Sequence, residues 1–268
     1  MAGAGHTQGQ TRGAAGLSGG AAGGWRPDSF TLKIIAILGM TADHFGNAFY
    51  SQLPLLGRCL LFLPGGLTFP IMAFLLTIGY QYTRDVRKYA LRLGIFALIS
   101  LVPFIWVLDA KLNVLFTLLL GLLVIWADDR MQNRALFWAL VAAAVVATYW
   151  CDWSLIGVPM ILLYHRLRHN RFWQVVYPIA LVWIYGLANL LGAASVLGFG
   201  AGLWLGNLPD LLYIFVGASA TIPLLYYYNG QRGRPLKYFF YAYYPLHITV
   251  IGILLGLLTG LWLPSWLG

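Results

Sequence analysis

The stretch Leu32-Lys-Ile-Ile-Ala-Ile-Leu-Gly-Met-Thr-Ala-Asp-His-Phe-Gly46 is an apolar run of helix length that carries Asp43 and His44 side by side in its second half. Ionisable groups are costly inside such a run, so two in succession mark a place to look for chemistry. With about 100° per residue, Lys33, Met40, His44 and Asn47 share one helical face, and Asp43 falls on another with Gly39, Gly46 and Tyr50. Neighbours in sequence do not face each other on a helix, which disfavours a direct carboxylate–imidazole pair. Each group then needs a partner on another helix. The small residues around Asp43 would let a neighbouring helix approach closely, with the carboxylate as an interhelical hydrogen-bonding group.

Composition sets the class around this stretch. With 60% hydrophobic and 9% charged residues over 268 positions and a mean hydropathy of +0.75, the chain reads as a polytopic, all-α membrane bundle. Residues 1–27 are Gly- and Ala-rich with almost no large apolar side chains, so a disordered tail is expected there, followed by one membrane domain over 28–268. The tail lacks the apolar core of a signal peptide, so the first span is expected to remain as an uncleaved anchor.

Apolar windows place nine spans near 30–50, 66–82, 89–107, 112–127, 135–150, 154–165, 173–191, 209–228 and 237–260. The net charge is +9, and of the 17 Lys and Arg residues 15 fall in alternate connections, leaving only Arg58 and Lys111 on the other side. This is a topological signal rather than a nucleic-acid footprint, and it predicts the N-terminus inside and the C-terminus outside. Gly-rich Pro64-Gly-Gly-Leu and Gly198-Phe-Gly-Ala-Gly202 suit outside turns or re-entrant loops. The two cysteines, Cys59 and Cys151, fall near the outer face; unpaired small hydrophobes are the simpler expectation, with a disulfide as the alternative.

Several other polar groups lie in or beside the spans. His247, in Tyr238-Phe-Phe-Tyr-Ala-Tyr-Tyr-Pro-Leu-His247, lies about 15 Å from the inner end of its span and His44 slightly deeper, so the two can line one site. Pro245 removes a backbone donor near Tyr241. Asn113 and Thr117 are four apart and can address one neighbour or ligand. Asp152 sits at the turn between the fifth and sixth spans. The basic runs Thr83-Arg-Asp-Val-Arg-Lys-Tyr-Ala-Leu-Arg92 and Arg232-Gly-Arg-Pro-Leu-Lys237 answer to charge topology, or to a phosphate-bearing ligand entering from the cytoplasm.

The ordered set of Leu32-Lys-Ile-Ile-Ala-Ile with Met40 and Asp43-His44, Phe69-Pro-Ile-Met-Ala-Phe, Tyr82-Thr-Arg, Lys88 to Ser100 with Pro103, Asn113 to Gly121, Asn229-Gly-Gln-Arg-Gly233 and Lys237 to His247 resembles the TraX family of conjugation-associated membrane proteins. The resemblance implies a bacterial inner-membrane acetyltransferase that N-acetylates a pilin N-terminus with acetyl-CoA, with no metal expected. Acetyl transfer to an amine needs a base and oxyanion donors. The expected roles are His44 as base, Asp43 as electrostatic or bridging partner and His247 as second acid/base. Asn113, Thr117, Tyr241 and Asp152 are donors or acceptor-orienting groups. Arg84, Arg87, Lys88, Arg92, Arg232, Arg234 and Lys237 would hold the CoA phosphates, which requires a tunnel from the inner face to His44. The rival expectations are a glycan or small-molecule acetyltransferase, a proton-coupled transporter using Asp43, His44, Asp152 and His247 as a relay, and an inactive assembly scaffold. Membrane lipid is the other expected partner.

Overall fold

A computed structural model describes residues 25–108, 111–235, 237–260 and 262; the greater part of the expected tail and the side chains of Lys237 and Tyr238 lie outside the described residues. Among the described residues the fold is all helical, with no strand beyond an isolated bridge between Leu112 and Cys151. The helices are α1 Ser29–Ala48, α2 Leu55–Gly65, α3 Thr68–Tyr82, α4 Val86–Val107, α5 Val114–Asp128, α6 Arg134–Ala147, α7 Ser154–Arg166, α8 Arg171–Leu197, α9 Ala201–Gly206, α10 Leu208–Leu211, α11 Thr221–Tyr226 and α12 Lys237–Thr259.

Local chemistry explains many of the boundaries. Short polar side chains at the N-cap satisfy backbone donors that a helix cannot satisfy itself. Asp28 begins α1 by accepting from the Thr31 N–H at 2.7 Å, and this bond holds its carboxyl below the usual carboxylate range. Asp85 does the same for α4 through Lys88, and Asn133 and Asn170 cap α6 and α8.

Among the described residues five helical segments are long and apolar enough to cross a membrane: Leu55–Tyr82, Val86–Val107, Arg171–Leu197, Leu208–Tyr226 and Phe239–Thr259. The first corrects the span expected from residue 66. Pro64 lies inside α2 rather than in an outside loop, and α3 begins within three residues of its end. The shorter apolar helices Val114–Asp128 and Arg134–Trp150 complete much of the wall. Leu98, Val102, Ile184, Leu191 and Leu257 project outward, as lipid-facing side chains do, while the core is continuous from Leu32 and Ala36 through Phe74, Leu122 and Ile161.

α1 is a central element, packed against α2, α3 and α12. Its contact with α2 is close because it presents small residues. A Cβ on Gly39 would stand 2.3 Å from the Pro64 carbonyl oxygen, and one on Gly65 would stand 2.7 Å from Asp43 Cβ. Gly39, Asp43 and Gly46 thus face α2, leaving His44 to face α12. Cys59 and Cys151 are both buried and unpaired.

Candidate functional site

Packing α1, α3, α4 and α12 side by side leaves a cavity of about 700 Å³. Lys33, Arg92, Arg232 and Arg234 line one end, and Asp43, His44, Asp152, Trp153 and Tyr213 line the other. His44 lies eleven helical steps from Lys33, about 16 Å along the α1 axis.

The basic end is held by the segment after α11. Asn229 donates from its backbone to Pro27 O at 3.0 Å, Ser29 N–H donates to Gln231 O at 2.9 Å, and Ser29 Oγ shares a 2.7 Å bond with the Tyr228 hydroxyl. Gly233, with φ of +66°, lies so close to Asp28 that a Cβ would meet its Oδ2 at 2.3 Å. These contacts explain the composition of Asn229-Gly-Gln-Arg-Gly233: it is a strap that carries Arg232 and Arg234 onto the start of α1. Arg92 reaches the same space from α4, and its Nε is buried without a hydrogen-bond partner. Tyr241 lines this part of the cavity and stacks on Phe96 with centroids 4.9 Å apart.

At the far end, His44 Nδ1 and His247 Nε2 are 2.8 Å apart, and both residues are buried. His247 Nδ1 lies 2.8 Å from the Tyr243 carbonyl oxygen. A carbonyl only accepts, so His247 carries its proton on Nδ1 and, when neutral, offers Nε2 as an acceptor. His44 must then donate from Nδ1, which leaves its Nε2 as the basic nitrogen. His44 lines the cavity, whereas His247 stands behind it and orients it. Tyr243 is itself anchored through a 2.7 Å bond between its hydroxyl and Thr41 Oγ1. The Tyr244 hydroxyl, beside His44 in the same cavity, is buried with no hydrogen-bond partner.

Asn113 and Thr117 serve the walls rather than the lumen. Asn113 is the N-cap of α5, accepting from Leu115 N–H at 3.1 Å and donating to Ala97 O at 2.8 Å. Thr117 donates to Asp152 O at 2.5 Å. That bond, with Asp152 N–H donating to Leu112 O at 2.8 Å, pins the turn carrying Asp152 and Trp153. Trp153 takes φ of +60°, alone among described non-glycine residues, and stacks on Phe69 at 4.4 Å. Such backbone strain persists only where the surroundings over-determine it.

A further cavity of about 390 Å³, lined by Lys111, Asn189, Asn207 and Asp210, shares Asp152, Trp153 and Tyr213 with the first. Tyr213 is positioned by a π-helical turn over Leu212–Gly217, a feature frequent at functional sites. The basic residues of the α3–α4 connection are divided. Arg84 and Arg87 line a separate polar cavity, and Lys88 is exposed and paired with Asp85 at 3.5 Å. The sequence alone does not single out Trp153 or Tyr213, and its one signal for Tyr244 is the position directly before Pro245-Leu-His247.

No solved structure matches the chain. The probable fimbrial assembly protein FimC, serogroup H1, of Dichelobacter nodosus is 30% identical over 240 residues, which cover 83% of this chain and 93% of that protein. The model of the TraX protein family matches residues 29–255, from the first residue of α1 to the last turns of α12, and the chain belongs to the TraX family.

Proposed function

We propose that the protein is an integral-membrane acetyltransferase that moves an acetyl group from acetyl-CoA to the N-terminal amine of a pilin or similar membrane-associated acceptor. The observation that carries this reading is the cavity running from Lys33, Arg92, Arg232 and Arg234 to His44 backed by His247. The basic end suits the phosphates of CoA, since guanidinium groups bind phosphate in a bidentate fork. The mainly apolar shaft suits the pantetheine arm, and the far end receives the thioester.

The acceptor would enter through the cavity that meets the first at Trp153, where Asp152 and Asp210 favour a cationic amine. Once neutral, the amine nitrogen attacks the thioester carbon. His44 Nε2 takes the proton released as the C–N bond forms, while Nδ1–H remains on His247 and spreads the new charge. The Tyr244 hydroxyl donates to the developing oxyanion. Collapse breaks the C–S bond, and the proton on His44 passes to the departing thiolate. The related fimbrial assembly protein supports a pilin-like acceptor.

The same reading puts the basic end in the cytoplasm of a bacterium and the bundle in its inner membrane. Nine crossings, with the N-terminus inside and the C-terminus outside, follow if α1, α5, α6 and α7 cross beside the five long segments. The test is protein in lipid nanodiscs with acetyl-CoA and a peptide bearing a pilin N-terminus, followed by thiol release and peptide mass. His44→Ala is expected to lower turnover at least about 100-fold, as loss of a general base does, while CoA still binds. Normal turnover by that variant would overturn the assignment. Failure of wild type to release CoA, with pH-dependent ion flux in vesicles, would establish the transporter reading.

A further inference from the structure

The polar cavity of about 550 Å³ beside the α3–α4 connection plays no part in the proposed reaction. Arg84, Arg87, Arg130 and Arg168 line it from three different connections, together with Trp126 and His165. Its carboxylates are already engaged. Asp129 accepts from the Tyr80 hydroxyl at 2.9 Å on one oxygen and lies 3.0 Å from His165 Nε2 on the other. Asp85 caps α4 and faces Lys88. Among the described residues none of the four arginines is in a salt bridge with a carboxylate.

Two buried ring nitrogens at this cavity are also without partners. Trp126 Nε1 can only donate, and Arg130 is held over its ring at 5.2 Å. His165 is 2% exposed, and its Nδ1 has no hydrogen-bond partner. An excess of guanidinium charge, a room lined mainly by polar groups and unsatisfied buried nitrogens together call for an oxygen-rich anion. Positive-inside topology alone would give basic residues facing open water, without converging from three connections on one cavity.

We propose that this cavity is a phosphate-binding site, separate from the donor cavity and independent of the acetyl-transfer reading. Arg130 and Arg168 grip the phosphate from one side, Arg84 and Arg87 from the other, and Trp126 Nε1 supplies a neutral donor. The volume accommodates more than one bare phosphate, so the group arrives on a larger carrier. The shared chemistry is a phosphate ester, presented either by an anionic phospholipid headgroup at the bilayer surface or by a soluble phosphate compound.

Full-length protein is tested in two arms. Pyrophosphate is titrated into detergent-solubilised protein by calorimetry, and lipid retained from nanodiscs of phosphatidylglycerol and phosphatidylcholine is weighed by native mass spectrometry. Arg130→Gln and Arg168→Gln are each compared with Arg26→Gln, an arginine outside the cavity. Saturable pyrophosphate binding that either cavity variant weakens about 10-fold, as expected for one charge-assisted contact, assigns a soluble phosphate. Selective retention of phosphatidylglycerol that the cavity variants lose, without pyrophosphate binding, assigns a headgroup. Neither form of binding in wild type, or equal losses in all three variants, overturns the proposal.

Discussion

His44 donates from Nδ1 to Nε2 of His247 across 2.8 Å, and the Tyr243 carbonyl dictates that direction by accepting from the other nitrogen of His247. The free nitrogen of His44, the proposed base, is therefore set by a backbone oxygen two steps away. His247 does not line the 700 Å³ cavity, so on the proposed reading it would act on turnover without touching the substrate. His247→Phe keeps an aromatic ring but leaves His44 Nδ1 without an acceptor. We expect kcat to fall about 10- to 100-fold, within the range of general-base effects, with KM for acetyl-CoA unchanged. His247→Gln, whose side-chain oxygen can accept, should recover part of the loss. Steady-state kinetics on the two variants check this, and a raised KM with normal kcat would contradict it.

The unpartnered Tyr244 hydroxyl differs from the stacked Tyr241 ring in what its removal should do. Tyr244→Phe deletes one oxygen from a packed ring and leaves the ring in place. An oxyanion donor lost in this way lowers kcat about 100- to 1,000-fold. Unfolding temperature should hardly change, because an unpaired buried hydroxyl contributes little to stability. Tyr241→Phe, measured beside it, should keep most of the turnover.

Asn113 is expected to matter for folding. Its side chain caps α5 and satisfies the Ala97 carbonyl in one arrangement. Asn113→Ala loses a cap worth about 0.5–2 kcal/mol and strands a buried acceptor at about 1–3 kcal/mol. Asn113→Asp keeps the cap and loses only the donor, so it should fall between wild type and Ala. Thermal unfolding in detergent ranks the three, and the loss should appear as folded protein rather than as kcat.

The helical step along α1 foretold its division of labour, because packing obeyed the 100° geometry: Gly39, Asp43 and Gly46 meet α2, and His44 meets α12. The alternation of basic connections likewise marked Arg92, Arg232 and Arg234, all at one end of the cavity. What stayed hidden depends on three-dimensional neighbours. Pro64-Gly-Gly has the composition of a turn, yet close contact with α1 makes its small residues necessary inside a nearly continuous helical segment. Asn113 looked like part of a helix face because a hydropathy window does not distinguish a cap from an interior position. Arg84 and Arg87 are near Arg92 in sequence but turn toward another cavity. Nothing in Cys151-Asp-Trp-Ser signals a left-handed backbone.

Gly233 and Gly230 separate strain from crowding. Both have positive φ, but a Cβ on Gly230 would meet open space, whereas one on Gly233 would strike Asp28 Oδ2 at 2.3 Å. Gly230→Ala should lose about 1 kcal/mol from backbone strain alone. Gly233→Ala should lose more and should loosen the strap that presents Arg232 and Arg234. We expect KM for acetyl-CoA to rise in Gly233→Ala well beyond the rise in Gly230→Ala, with kcat less affected. Equal effects would mean that the Asp28 contact has no part in holding the strap.

Trp153 stands where the proposed donor and acceptor cavities meet, stacked on Phe69 and 6.1 Å from the Tyr213 ring. Its left-handed backbone costs roughly 1–2 kcal/mol, offset by the hydrogen bonds that pin Asp152 and by burial of the indole against Phe69. The position of the ring suggests a partition that keeps water from the thioester until an acceptor arrives. Trp153→Phe preserves most of the stack, while Trp153→Ala joins the two cavities. Without acceptor, acetyl-CoA hydrolysis should rise several-fold in the Ala variant and stay near wild type in the Phe variant. Trp153→Gly relieves the backbone strain that Ala retains, so it should unfold at a higher temperature than Ala while leaking as much. If hydrolysis follows unfolding temperature across the three variants instead of the presence of the ring, the partition is wrong and Trp153 serves only to hold the turn.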